Sequence, residues 1–373
     1  MGNLDNSVRL VNQQRVLLFL LLNTGLVFRW GTELFKLLPN WEEIIDGEVD
    51  LLPLELSAEE LAHLKHPNWK QVDKCLEWAQ QKNHHLIVWT DERYYPQQLR
   101  EIYRPPLLLF ASGEIERLQA NQIAMVGSRN PSWSGLKTAT DFAKALSELG
   151  ITITSGFALG IDTASHQGGL AGVGKTIAVL GSGLDRLYPA KNCSLAEDLL
   201  AKGGLLLSEF PLHQPAAAWH FPLRNRIISG LSLGILVIEA TLRSGSLITA
   251  RLAREQNRTV FAIPGSIYNE RAQGPNWLIQ EGAKLVSNVT DILEEFPVLT
   301  AQLATILPTP EATKNKLDSR QSKLLDCIDF DLTTLETISS KIGWSAAEIQ
   351  GTLLELELKG KIMAELGCYV RIR

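Results

Sequence analysis

At 373 residues, with 45% hydrophobic and 21% charged side chains, the chain has the composition of a folded protein of two or three domains, which excludes a disordered or fibrous class. Its formal net charge of −5 marks no nucleic-acid binder and excludes none, because phosphate binding follows local charge rather than the sum. Four scattered cysteines, Cys75, Cys193, Cys327 and Cys368, form no CxxC pair and have no histidine at ligand spacing. That usage fits a reduced, cytoplasmic setting and argues against zinc.

Residues 1–85 read as a small helical (SAM-like) domain. Helical stretches at Val16–Leu22, Thr32–Leu38, Ala58–Leu64 and Trp69–Lys82 would pack around Trp30, Trp41, Trp69 and Trp78. The apolar stretch Val16–Leu22 is too short to span a bilayer and no A-x-A-like cleavage site follows, so neither a membrane span nor a signal peptide is expected. From Leu86 through Tyr95-Pro96 to Phe110, prolines and β-formers predict an edge strand leading into a sheet.

Between Ile123 and Ser266 a short apolar run followed by a loop of glycine, serine and charges recurs five times. The runs are Ile123–Val126, Ile151–Thr154, Thr176–Leu180, Ile235–Ile238 and Val260–Ile263. Unbroken apolar strands separated by helical stretches predict an α/β fold, a mostly parallel, doubly wound, Rossmann-like sheet over residues 86–297. Ligands bind such a sheet where the strands end, and small loops there suit phosphate. Residues 298–318, rich in Thr, Ala, Pro and Lys, read as a linker. Residues 319–373 carry helical patterns at Gln321–Ile328, Leu335–Ile342 and Ser345–Leu358, then two β-type runs turned at Gly367. That is the order of a winged helix.

The most telling segment is Phe221–Ser232, where Arg224, Asn225 and Arg226 follow Pro222 at the start of a helical pattern. Two guanidiniums there, with Arg129 from Gly127-Ser128-Arg129, would converge on one rim as donors for phosphate oxygens. Ser244-Gly245-Ser246 opens a helix with Ser244 or Ser246 as N-cap, and reads either as an anion nest or as a well-capped helix. Asp162 and His166, four residues apart, read as an acid/base pair or as a helix-start carboxylate bonded to the histidine, the second favoured by the helix dipole. Gly169–Thr176 has the letters of a nucleotide-triphosphatase loop, but a helical stretch precedes it and a strand follows it, the reverse of what that loop needs. Trp133, Tyr188, Trp219 and Phe221 stand beside the loops, where bases of a single strand could stack next to cations, Phe221 foremost.

Taken together, Met125–Arg129, Ser155–Asp162 with His166, Tyr188-Pro189, Ser208–Pro211, Phe221–Ser232 and Ala262–Gly265 resemble the DNA-processing protein A family (DprA, also called Smf). The resemblance covers most of the chain and extends to a carboxyl-terminal winged helix over Leu354–Tyr369. It implies a protein that binds single-stranded DNA, forms homodimers through its Rossmann-like domain and loads the RecA recombinase during natural transformation, with no cofactor, no metal and no catalysis. Carried to matching positions, it implies phosphate contacts from Arg129, Arg224 and Arg226, with backbone donors from Gly127, Ser128, Gly156 and Ser244–Ser246. Lys175, Phe221 and Asn225 complete the candidate DNA-binding set. The third winged-helix stretch departs from a duplex reader, carrying Glu348, Glu355 and Glu357 against Lys359. A rival reading is a nucleotide phosphoribohydrolase on a related scaffold with Glu239 as its catalytic acid. A third is a regulatory interaction module that retains no DNA.

Overall fold

The computed structural model describes residues 2–24, 27–28, 31–33, 57–58, 60, 62, 68–304, 318–330, 332–365 and 367–371. The expected core positions Trp30 and Trp41, and most of the helical stretches 32–38 and 58–64, lie outside the described residues. The chain forms two compact units, Met1–Leu307 and Pro308–Arg373.

In the first unit, the described residues build a nine-stranded sheet in the order β1-β2-β6-β5-β4-β3-β7-β8-β9. The strands are β1 (His84–Val88), β2 (Leu108–Gly113), β3 (Gln122–Val126), β4 (Thr152–Ser155), β5 (Thr176–Leu180), β6 (Leu205–Ser208), β7 (Gly234–Val237), β8 (Thr259–Ala262) and β9 (Lys284–Leu285). Strands β3 to β9 pair in parallel, whereas β1 and β2 are antiparallel and join at β6. The predicted edge strand is thus two strands, and β6 is an addition to the five expected runs. From β3 the chain winds outward through β4, β5 and β6, then returns to β7 on the other side of β3.

Alternation within each strand feeds two layers, as the period of two requires. Ile123 and Met125 of β3 enter one core with Leu236 and Ile238, while Ala124 and Val126 enter the opposite core with Ile235 and Val237. Helices α3 (Trp133–Glu148) and α4 (Ile161–Ala171) cover the first face through Ala139, Ala143, Ile161 and Ala164. Helices α6 (His220–Leu231) and α7 (Gly245–Glu255) cover the second through Ile227, Ile228, Ala250 and Ala253.

Helix α1 (Gly2–Asn23) is apolar all round from Val16 to Leu21 and is buried there, beside α2 (Trp69–Ala79). It shares one core with Val88 and Phe110 of the sheet, with α5 (Cys193–Ala201) closing the same layer through Leu195 and Leu199. Trp69 stacks on Phe19 with ring centroids 5.1 Å apart. Among the described residues no helix is long and apolar enough to cross a membrane. The expected linker opens with a helix, Pro297–Ala304, whose Leu299 packs into the sheet's core.

The second unit carries α9 (Ser319–Leu325), α10 (Leu335–Ile342) and α11 (Ala346–Leu358), after α8 (Gln273–Gln280) of the first. Asp318, Thr334 and Ser345 cap the three helices by accepting backbone N–H bonds. A hairpin of β11 (Ile362–Glu365) and β12 (Cys368–Arg371) is joined by the short β10 (Thr333–Thr334). This is the expected winged helix. Two carboxylates of its acidic third helix are spent locally: Glu348 pairs with Arg320 at 3.0 Å, and Glu355 accepts from Gln321 at 2.8 Å.

Candidate functional site

Because the chain leaves β3 and β7 toward opposite flanks, a crevice opens between their loops, the place where doubly wound sheets hold ligands. Here it is a cleft of about 570 Å³ lined by Gly127, Ser128, Arg129, Phe221, Arg224, Asn225 and Ser244–Ser246. Its floor is stitched by backbone bonds: Ser128 N–H donates to Glu239 O at 2.6 Å, and Ile161 N–H to Ser128 O at 3.1 Å. Gly127 permits this approach, since a Cβ there would stand 2.7 Å from Ile161 Cγ1.

Arg129 rises from that fixed backbone with its guanidinium carbon 5.5 Å from the centroid of the Phe221 ring. Phe221 in turn lies 5.8 Å from the half-exposed Tyr188 ring. The opposite wall is the start of α7. Ser244 is its N-cap, accepting from Ser246 N–H at 3.3 Å, and the exposed Gly245 has no atom within 4 Å of where a Cβ would stand. The rim thus combines a cation, aromatic faces, hydroxyls and a positive helix end, a set suited to a phosphate with a neighbouring ring.

The expected convergence of three arginines does not occur. Positions 224 and 226 are ~200° apart around a helix, so their side chains leave on different faces. Arg226 turns away from the cleft and pairs with Glu209 at 2.5 Å, the two side chains 12% and 3% exposed. Arg224 does line the cleft but is only 4% exposed. It donates to Gly156 O and Val179 O, and through Nε to Asn225 Oδ1 at 3.2 Å. Burial lowers its pKa to about 10, opposed by the Asp162 carboxylate, so it stays charged at neutral pH.

Lys175 lies at the amino end of β5, the five-residue length of that strand (Thr176–Leu180) away from the loops, which is roughly 16 Å. Its ammonium donates to Leu170 O at 3.3 Å. The reason is topological, since a residue before a parallel strand cannot reach the ligand edge. Gly156 N–H is occupied too, donating to Asp162 at 3.1 Å. Asp162 and His166 do not pair as expected. Asp162 also accepts from Ala158 N–H at 3.2 Å, and its carboxyl is pushed up by burial and pulled down by Arg224. His166 Nδ1 meets Thr176 Oγ1 at 2.7 Å. Burial, then Arg224, lowers its pKa to about 3. Glu239 spends both carboxylate oxygens on Ser132, the cap of α3, at 2.5 Å and 2.8 Å. The Gly169–Thr176 segment runs from helix α4 to strand β5, the inverted order expected.

Sequence reasoning missed Asn192, whose Nδ2 donates to Phe157 O at 3.0 Å. It ends the short helical turn Ala190–Asn192 that follows Tyr188-Pro189, and no pattern in the sequence marks it.

Fold and cleft define a class: a Rossmann-like sheet with a switch-point cleft, followed by a winged helix. Residues 85–297 match the family DNA recombination-mediator protein A, and residues 308–367 match the DprA winged helix domain. The chain belongs to the DNA-processing protein A (DprA/Smf) family. Protein Smf of Escherichia coli is 45% identical over 312 residues, 82% of each chain. The crystal structure of DprA from Streptococcus pneumoniae superposes with a TM-score of 0.59 at 40% identity, covering 68% of this chain and 86% of that one. DprA from Helicobacter pylori, described for its unique single-stranded DNA binding mode, gives a TM-score of 0.51 at 27% identity, covering 57% and 99%.

Proposed function

We propose that the cleft between the β3 and β7 loops binds single-stranded DNA, and that this protein protects incoming strands and helps load the RecA recombinase during DNA uptake. The observation that carries the reading is Arg129 held over Phe221 at the mouth of a cleft walled by the open start of α7. A cation beside a π-face seats a phosphate and the base next to it without reading sequence. The single-stranded DNA binding mode of the Helicobacter pylori relative supports the same ligand. In this reading the protein acts in the cytoplasm, as a homodimer through its Rossmann-like sheet, as a binder and not an enzyme. The winged helix, with its acidic third helix, serves protein contact rather than duplex reading.

Gel retardation with single- and double-stranded oligonucleotides across salt tests the proposal. Retention of the single strand, weakening steeply with salt and little affected by base order, is expected. No retention at low salt would favour the interaction-module reading instead.

A further inference from the structure

The loop after β4, Gly156–Gly160, carries no basic residue, yet it lies directly beneath Arg129. At Gly160, where φ is +82°, a Cβ would stand 2.8 Å from the Arg129 carbonyl carbon and 2.7 Å from Pro131 Cδ. The next residue, Ile161, donates its N–H to Ser128 O at 3.1 Å. The backbone bearing Arg129 therefore takes its position from this loop.

The loop is held in a conformation it would not adopt alone. Phe157 is fully buried with φ +63°, a left-handed value that a bulky residue keeps only where its surroundings over-determine it. Side chains from three places supply that determination. Arg224 of α6 donates to Gly156 O, Asn192 donates to Phe157 O, and Asp162 of α4 accepts from Gly156 and Ala158 N–H. Each is at least nine-tenths buried.

We propose that Arg224 is a positioning residue: from beneath the cleft it fixes the Gly156–Gly160 loop, and through it Arg129, rather than gripping phosphate itself. The inference rests on the reading of the cleft as a single-stranded DNA site. It turns a residue that resembles a phosphate ligand into part of a brace with Asp162 and Asn192.

The test is equilibrium binding of a fluorescein-labelled oligo-dT across salt by the full chain and by Arg129→Ala, Arg224→Met, their double variant and Asp162→Asn. If Arg224 acts through Arg129, the two losses are not additive, as for coupled neighbours. The double variant then binds like Arg129→Ala, with the same salt slope. Asp162→Asn removes a negative charge beside a polyanion site, so charge alone predicts tighter binding, whereas the brace predicts weaker binding by roughly threefold or more. Additive losses with a slope shallower by two contacts, or tighter binding by Asp162→Asn, would overturn the proposal. Should Arg224→Met fail to fold, Asp162→Asn decides. Should the parent retain no DNA, the functional reading fails, and amide exchange of the free proteins tests the brace. Faster exchange at Gly156 and Ala158 in Asp162→Asn and in any folded Arg224→Met supports it, and unchanged exchange overturns it.

Discussion

Arg129 and Phe221 reach each other from different layers of the fold, the guanidinium carbon 5.5 Å from the ring centroid. One leaves the loop after β3, and the other leaves the first turn of α6. The pairing keeps the cation near a π-face at the edge of the cleft, and it places both side chains where a phosphate and its base would lie side by side.

Phe221→Ala should weaken binding of single-stranded DNA by about 1–3 kcal/mol, the usual worth of one base–aromatic stack. Phe221 also packs on Gly181, where a Cβ would lie 3.0 Å from the ring, so the alanine variant loses some stability as well. Phe221→Tyr separates the effects by keeping the π-face. Fluorescence anisotropy showing alanine and tyrosine variants equally weak would remove stacking from the account.

Arg226→Ala should act on stability and not on the salt dependence of binding. Its loss leaves Glu209, 3% exposed, without a cation, a defect of about 3–5 kcal/mol for a broken buried pair. Burial, opposed by Arg226, already pushes the Glu209 carboxyl upward, so protonation will soften the cost. Urea unfolding of the variant checks this. Unchanged stability with a shallower salt slope would mean that Arg226 faces the ligand.

Acid should destabilise the fold partly through His166. The unfolded ring takes up its proton near pH 6.5, whereas the buried ring resists until about 3. Between those values the unfolded state binds more protons, so stability present above pH 6.5 is lost as pH falls, at up to ~1.4 kcal/mol per pH unit. His166→Gln should flatten the acid limb of thermal stability between pH 6 and 4, roughly. An identical limb in both proteins would show that the ring titrates freely.

Glu239→Gln should cost about 1–2 kcal/mol of stability by weakening the cap on α3, with melting temperature as the readout. The parent should release no free base from a nucleoside monophosphate. Base release by the parent, abolished in Glu239→Gln, would restore the phosphoribohydrolase reading.

Much of this architecture was legible in residues 123–263, because strands buried on both faces must be apolar without interruption. Leu205–Ser208 has the same character, but its loop, Ser208-Glu-Phe-Pro211, lacks glycine, so a pattern of strand plus small loop passes over it. The cleft was legible where backbone geometry decides, as at Gly127, Ser128 and Arg129. The roles of Arg224 and Asp162 were not, because spacing favours Asp162 with His166 on one helix, while Asp162 instead accepts from the Gly156 and Ala158 N–H groups of the preceding loop, and the Arg224 charge that acts on it comes from a distant helix. The divergence of Arg224 and Arg226 was available: once Phe221–Ser232 is read as helical, residues two apart cannot face one ligand.

In the proposed site Arg129 neutralises a phosphate of a single strand seated in the cleft. The most direct measurement is the dependence of oligo-dT affinity on salt for the parent and for Arg129→Ala. Parent affinity should fall steeply with salt, and the log–log slope should be shallower in the variant by about 0.7, one phosphate's share on a single strand. Equal affinity and equal slope in the two proteins would contradict it.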